Sequence, residues 1–181
     1  MVRKLKFHEQ KLLKKVDFIN WKVDNSAHEN KIVRRFHIRK KEDYTTYNKL
    51  SREVRDFVSK IAALEQSDPF KTECTDKLLI KLYNMGVIDN KLDLETASRV
   101  SASSFCKRRL PVIMVKHKLS ENLKNATDLI EQGHVRVGTE MVKDPAFLVT
   151  RNLEDFVTWV DSSAIKRHVE EYNDIRDDFE L

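Results

Sequence analysis

Only three glycines and three prolines occur among the 181 residues, and that scarcity restricts the fold more than any other feature of the chain. Glycine supplies positive-φ corners and proline abrupt stops, which sheet-rich folds need at every turn. So few of either predicts a chain built mainly of long helices, with neither collagen-like period nor low-complexity disorder. The length predicts one domain, or about one and a half. The longest stretches without a charged residue are seven residues, Leu82–Ile88 and Val100–Cys106. A membrane span takes about 20 apolar residues, so none is expected. A secretory signal is not expected either, because Lys11, Lys14 and Lys15 occupy the place of an apolar core, and the reading is an intracellular protein. Cys74 and Cys106 form no CxxC and predict buried, reduced thiols rather than a zinc site or a disulfide framework.

Charge is unevenly spread. Residues 1–41 carry 13 basic and 4 acidic side chains, residues 42–104 carry 9 and 11, residues 105–160 carry 9 and 7, and residues 161–181 carry 3 and 7. A head of net +9, a near-neutral body and a tail of net −4 point to a polyanion partner for the head. A charged helical surface that keeps the chain soluble is the plainer alternative.

Within the head, Phe7 to Trp21 reads as a basic amphipathic helix, with Leu12, Val16 and Ile19 at helical spacing and Lys11, Lys14, Lys15 and Lys22 on other faces. The cluster Arg34, Arg35, His37, Arg39, Lys40, Lys41 follows. From Glu42 to about Leu64, Leu50, Val54, Phe57, Val58 and Ile61 keep a helix period, which Asp68-Pro69 breaks. A second helix is expected from about Thr72 to Met85, burying Leu78, Leu79 and Leu82, with Gly86 as its left-handed cap.

Residues 104–159 differ in kind. A short helix is expected to carry Lys107-Arg108-Arg109-Leu110, and a second to run from Ser120, its N-cap, to Gln132, with Gly133 beyond its end. Periodicity then changes to two: Val135 and Val137 point one way, His134 and Arg136 the other, and Gly138-Thr139 suits a type II′ turn. Strands are expected at Phe147–Val149 and Phe156–Val160.

The runs Arg108-Arg109-Leu110, Asn125 to Val137 and Val142 to Val149 resemble the RNA-binding domain named after small-subunit ribosomal protein four. Val137-Gly138-Thr139, where most members read Val-Asn-Gly, resembles the eukaryotic or archaeal branch. Upstream helices resemble the supporting helices of the same protein, and the opening Met1 to Phe18 is similar to a narrower group: its nucleolar relative, a subunit of the U-three small nucleolar ribonucleoprotein. The resemblance implies an α+β fold, a mostly helical body with an embedded domain of two helices on a short antiparallel sheet with a hairpin. Expected divisions are a basic arm at 1–41, a helical subdomain at 42–104, an RNA-binding domain at 105–160 and an acidic tail at 161–181. It also implies a nucleolar protein that assists pairing of U-three small nucleolar RNA with pre-rRNA, beside an M-phase phosphoprotein scaffold subunit and a Brix-domain subunit. No cofactor, metal, membrane or small-molecule substrate is implied. Runner-up readings are a ribosomal protein of the mature small subunit and a protein-interaction adaptor.

Folded RNA is bound mainly through shape, phosphate and 2′-hydroxyl contacts, so exposed cations and polar groups on rigid elements are the candidates. They are Lys107, Arg108, Arg109, Lys116, Lys118, Asn122, Lys124, Asn125, Thr127, His134, Arg136 and Lys143 in the domain, and Lys11, Lys14, Lys15, Arg34, Arg35, Arg39, Lys40 and Lys41 in the arm. On a helix Arg108 would face about 200° away from Leu110 and present a fork to phosphate. The alternative for Arg108 and Arg109 is an ion pair to Glu121 or Asp128, for the lysines a solvated surface, and for His134 a packed turn. Enzyme signatures are poor: Gly133 and Gly138 have phosphate-loop spacing, but Thr139-Glu140 replaces the required Lys-Ser/Thr.

Overall fold

The computed structural model describes residues 3–15 and 23–174, and the chain divides into two compact units between Arg35 and Phe36. The first holds α1 (Phe7–Lys15) and α2 (Val23–Arg35). Glu9 accepts from the Lys6 backbone N at 2.8 Å and from Arg3 Nη2 at 2.6 Å, which fixes the start of α1. Phe7, Leu12 and Leu13 are exposed. Val16, Ile19, Trp21 and Lys22, the rest of the expected amphipathic helix, lie outside the described residues.

The second unit begins with buried Phe36 and Ile38. In α3 (Lys41–Ala62) the buried positions are Tyr44, Tyr47, Ser51, Val58 and Ile61. That face is rotated from the expected one: Leu50 and Phe57 are exposed, because the short helices α5 (Leu94–Ser98) and α6 (Ala102–Cys106) pack against α3 as well as α4 (Pro69–Asn84). Asp68 caps α4 by accepting from Phe70 N at 2.9 Å, with Pro69 at the first position where its missing N–H costs nothing. Gly86 closes the helix at φ +72°, with Val87 N bonded back to Leu82 O.

The chain breaks at Lys107-Arg108-Arg109 and resumes as α7 (Leu110–Lys116), with Pro111 in its first turn. α8 (Leu123–Glu131) is capped at Asn122 rather than Ser120, whose hydroxyl donates to Asn122 O at 3.1 Å. A six-residue connection joins α7 to α8, and the two helices pack against each other. Gly133, at φ +82°, ends α8 as expected. Strands β1 (Val135–Val137) and β2 (Glu140–Met141) form the hairpin, with positive φ at Gly138 and not at Thr139, the II′ pattern. The sheet order is β2-β1-β3, all antiparallel, with β3 at Val157–Trp159. Residues 147–149 do not form a strand of this sheet; Leu148 makes an isolated bridge to Arg109, and α9 (Arg151–Glu154) intervenes before β3. Leu110, Ile113 and Met114 from α7, Ala126 and Ile130 from α8, and Val135, Val137, Val149 and Val157 make the core between helices and sheet. The α+β class holds. α10 (Ala164–Tyr172) follows, capped by Ser163. The rest of the expected acidic tail, 175–181, lies outside the described residues.

Candidate nucleic-acid interface

The break before α7 decides the fate of the arginine pair. Arg108 is not on a helix, and its side chain is nearly all buried: the residue is 7% exposed. Its Nε and Nη2 donate to Val149 O at 2.9 and 2.8 Å, and Nη1 donates to Glu154 Oε2 at 2.8 Å. Gly86 lies against this guanidinium so closely that a Cβ there would come 2.6 Å from Arg108 Nε. The expected phosphate contact is therefore corrected to an internal ion pair, and its acidic partner is neither Glu121 nor Asp128. With every guanidinium nitrogen bonded, the cost of taking this arginine out of water is offset. Burial alone would raise the Glu154 pKa, but the hydrogen bonds from Lys116 and Arg108 outweigh it and hold the carboxyl below the ordinary value.

Arg109 is also buried, at 3% exposure, and not on the surface as expected. Its surroundings are poorer. Nη2 lies 3.5 Å from Asp43 Oδ2, the guanidinium stands 5.9 Å from the Tyr47 ring centre, and Nε and Nη1 are buried with no partner among the described residues. An unsatisfied buried donor costs about 1–3 kcal/mol, more when charged. Arg109 borders a cavity of about 390 Å³, with Arg39, Lys40, Thr127, Glu131 and Lys143 also on its wall. Tyr47 is fixed beside it by donating to Ala146 O at 3.1 Å, and burial pushes its phenol up to about 12.

The other expected residues fall into separate groups. Lys116 and Lys118 at the end of α7, and Asn122, Lys124 and Asn125 at the start of α8, share one end of the helix pair and are exposed. Lys116 is bonded to Glu154 at 2.5 Å, which leaves Lys118 and Lys124 as the cations there with no acidic partner among the described residues. Lys118 holds φ +60° where a glycine would be cheaper. Lys107, exposed, sits at the end of α6. Thr127 is corrected to a core residue, 2% exposed, with its hydroxyl donating to Leu123 O at 2.7 Å. His134 is half-buried, its Nδ1 2.9 Å from Ser163 Oγ. Arg136 is half-buried and engaged, Nη1 with Asp161 at 2.5 Å and Nε with Thr158 Oγ1 at 3.0 Å.

In the arm, Lys11 and Lys14 are exposed on α1, Arg34 and Arg35 end α2, and the Lys15 side chain lies outside the described residues. Arg39, Lys40 and Lys41 are not arm residues in this structure: they follow buried Phe36 and Ile38 in the second unit, and Arg39 is ion-paired to both Asp128 and Glu131. The acids around Arg108 and Arg109, Glu154 and Asp43, went unremarked in the sequence, as did Arg151, which donates to Tyr83 O at 2.9 Å and Ile88 O at 2.8 Å. Backbone carbonyls as partners leave no sequence signal. Cys106 is buried and its thiol pushed up to about 11 by that burial, whereas Cys74 is only half-buried. Among the described residues no group of three or more His, Cys, Asp or Glu is arranged to hold a metal ion.

Comparison with known proteins matches both parts of this architecture. The family profile described as Ribosomal protein S4/S9 N-terminal domain matches residues 4–106, and that described as S4 domain matches residues 108–155. Over its full length the chain is 56% identical to the U3 small nucleolar ribonucleoprotein protein IMP3 of Mus musculus, covering 99% of it, and 48% identical to that of Saccharomyces cerevisiae, covering 100%. Small ribosomal subunit protein uS4 of Hyperthermus butylicus is 28% identical over 83% of this chain and 85% of its own length. Identity of this order across the whole chain, with the two matches meeting at the arginine break, places it: the chain belongs to the IMP3 family of U3 small nucleolar ribonucleoprotein proteins, a branch related to ribosomal protein uS4.

Proposed function

We propose that the chain is a non-enzymatic RNA-binding subunit of the U3 small nucleolar ribonucleoprotein, working in the nucleolus on small-subunit rRNA maturation by assisting pairing of the snoRNA with pre-rRNA. The observation that carries the reading is full-length identity to proteins of that name, against 28% to a protein of the mature small subunit. The exposed end of the α7–α8 pair supports it: Lys118 and Lys124, without acidic partners among the described residues, stand beside Asn122 and Asn125 on rigid helix ends. Lysine rather than glycine at a left-handed position fits a side chain kept for contact. The exposed cations of α1 and α2 add a second basic surface.

Fluorescence anisotropy of the full chain on a snoRNA–pre-rRNA duplex, across a salt series, tests this. Replacing Lys107, Lys118 and Lys124 with Ala should weaken binding across sequences and lower the salt slope by about 2. An unchanged slope with an unchanged melting curve would remove these residues from the interface.

A protein partner has its own support. Between α3 and α4 a groove of about 450 Å³ is lined by Leu50, Val54, Phe57 and Leu78, with Lys77 and Lys81 at its edge. Exposed apolar surface rimmed by charge suits an amphipathic segment, and it supports binding of the M-phase phosphoprotein scaffold here, with the Brix-domain subunit as a further component. Phe57→Asp should abolish recovery of the scaffold in a pull-down and leave RNA binding intact.

A further inference from the structure

We propose that the outer face of the sheet is a second RNA-contact surface, and that Asp161 stands in the free protein where one backbone phosphate binds. The inference rests on the RNA-binding reading and deepens it, by placing a contact on β1 and α10 rather than on α7 and α8.

The first observation is where cations converge. Arg136 of β1 and Lys166 of α10 come from separate elements and close on one carboxylate: Arg136 Nη1 lies 2.5 Å from Asp161 Oδ2, and Lys166 Nζ 2.8 Å from Asp161 Oδ1. Arg136 Nε also donates to Thr158 Oγ1 at 3.0 Å, which fixes the plane of the guanidinium. Two cations on the two oxygens of one oxyanion also suit a phosphodiester, which carries the same single charge as the carboxylate. One can therefore replace the other without changing the charge balance. Glu170, 3.5 Å from Lys166, is the further acid of this cluster.

The second observation is how lightly the carboxylate is held. The Asp161 side chain is 62% exposed, and an exposed ion pair contributes about 0–1 kcal/mol. α10, which brings Lys166, has nine residues and none of them is buried. Lys166 and Arg167 lie in its first turn and Glu170 and Glu171 in its last, the reverse of what the helix dipole favours. Ser163, by contrast, is buried and meets His134 Nδ1 at 2.9 Å, and Val160 N donates to His134 O at 3.0 Å. The chain is thus pinned to the start of β1 on either side of Asp161, while the carboxylate itself is free to turn out to water.

The surroundings indicate the ligand. Arg136 stands in register between Met141 and Thr158, so the three share the face turned away from the core valines. Met141 and Thr158 are exposed, and so is Phe156, two residues before Thr158 and bonded through its carbonyl to Gly138 N. No atom stands within 4 Å of the place a Gly138 Cβ would take. A phosphate seat on a sheet with an open aromatic ring suits an unpaired nucleotide, its phosphate on the arginine and its base on the ring.

The test uses the full chain and fluorescence anisotropy on a single-stranded oligouridylate, with poly-glutamate as competitor. Asp161→Asn should tighten RNA binding about 2- to 5-fold, and the gain should be lost in a chain that also carries Arg136→Met and Lys166→Met. Arg136→Met alone should lower the salt slope by about 0.7, one phosphate on a single strand. Phe156→Ala should weaken binding about 5-fold or more. In the wild type the Arg136 Nε–H resonance, assigned through its loss in Arg136→Met, should shift saturably with RNA. Glu140→Gln, in the same hairpin, reports the general effect of removing a negative charge. An equal gain there, or a gain that survives loss of both cations, would overturn the proposal. Displacement of the RNA by poly-glutamate at equal charge concentration would make the seat one for an acidic protein segment and overturn it too. Retained RNA binding with an unmoved Arg136 resonance and no gain from Asp161→Asn would remove this surface and leave the RNA-binding reading in place. Failure of the wild-type chain to bind any RNA, duplex or single-stranded, would remove both.

Discussion

The two sides of the arginine break are built from the same residue type and serve it differently. Around Arg108, Gly86, Val149 and Glu154 close on the guanidinium until each nitrogen is bonded. Around Arg109, an ion pair at 3.5 Å and a ring at 5.9 Å leave two nitrogens without partners. Burial alone therefore does not distinguish the two arginines. The inventory of acceptors does, because a fully bonded buried cation belongs to the fold and a half-bonded one carries a standing cost.

Stability measurements can break that contrast. Arg108→Met should cost about 3 kcal/mol, since Val149 O loses its donors and Glu154 its inner partner. Arg109→Met should cost no more than about 1 kcal/mol, because Asp43 is partly exposed and an unsatisfied charge is removed with the side chain. Equal losses in denaturant melts would erase the distinction. Next in size, Gly86→Ala should destabilise by about 1–3 kcal/mol, the cost of a left-handed non-glycine together with displacement of Arg108. In combination with Arg108→Met the glycine change should lose part of its effect, and full additivity would mean that the close approach does not matter.

The acid limb of stability sharpens the comparison further. The folded-state pKa of Glu154 is depressed below 4.5, so its contribution is present above the unfolded value and lost as pH falls through the folded one. The Tm gap between wild type and Glu154→Gln should therefore be full near neutrality and shrink on acidification; a gap that widened in acid would contradict the pairing. The smallest effect is expected at Lys118. Lys118→Gly should raise stability by up to about 1 kcal/mol while weakening RNA binding, and a loss of stability would show that the lysine itself holds the turn.

Local chemistry was legible where one residue decides the geometry. Gly86, Gly133 and Gly138 all take the positive φ that their neighbours in sequence called for, and Asp68-Pro69 starts a helix. Tertiary choices were less so. Apolar spacing in α3 offered two overlapping faces, and the docking of α5 and α6 selected the one with Tyr44, Tyr47 and Ser51, leaving Leu50 and Phe57 in the groove. Reading Arg108 and Arg109 onto a continuous helix missed the break that Pro111 follows, and with it the burial of both. Arg39 read as part of a basic arm because its partners, Asp128 and Glu131, come from the far end of α8. Charge counts cannot reveal a pairing across such a distance.

The clasp around Arg108 also has a temporal side. Its acceptors lie 41 and 46 positions further along the chain, and Arg151 returns 68 positions to Tyr83. While the polypeptide emerges from the ribosome, α3 and α4 can pair from neighbouring segments, but Arg108 stays without its bonds until residue 154 has been made. The seam between the two family regions is thus closed late, and the hydrogen bonds of Arg108 and Arg151 across it are specific enough to register misassembly. A truncation at residue 106 or 107, where the two profiles meet, would strand Gly86 and Tyr83 on one piece and their arginines on the other. For this chain the natural unit of production, of quality control and of engineering runs across that boundary.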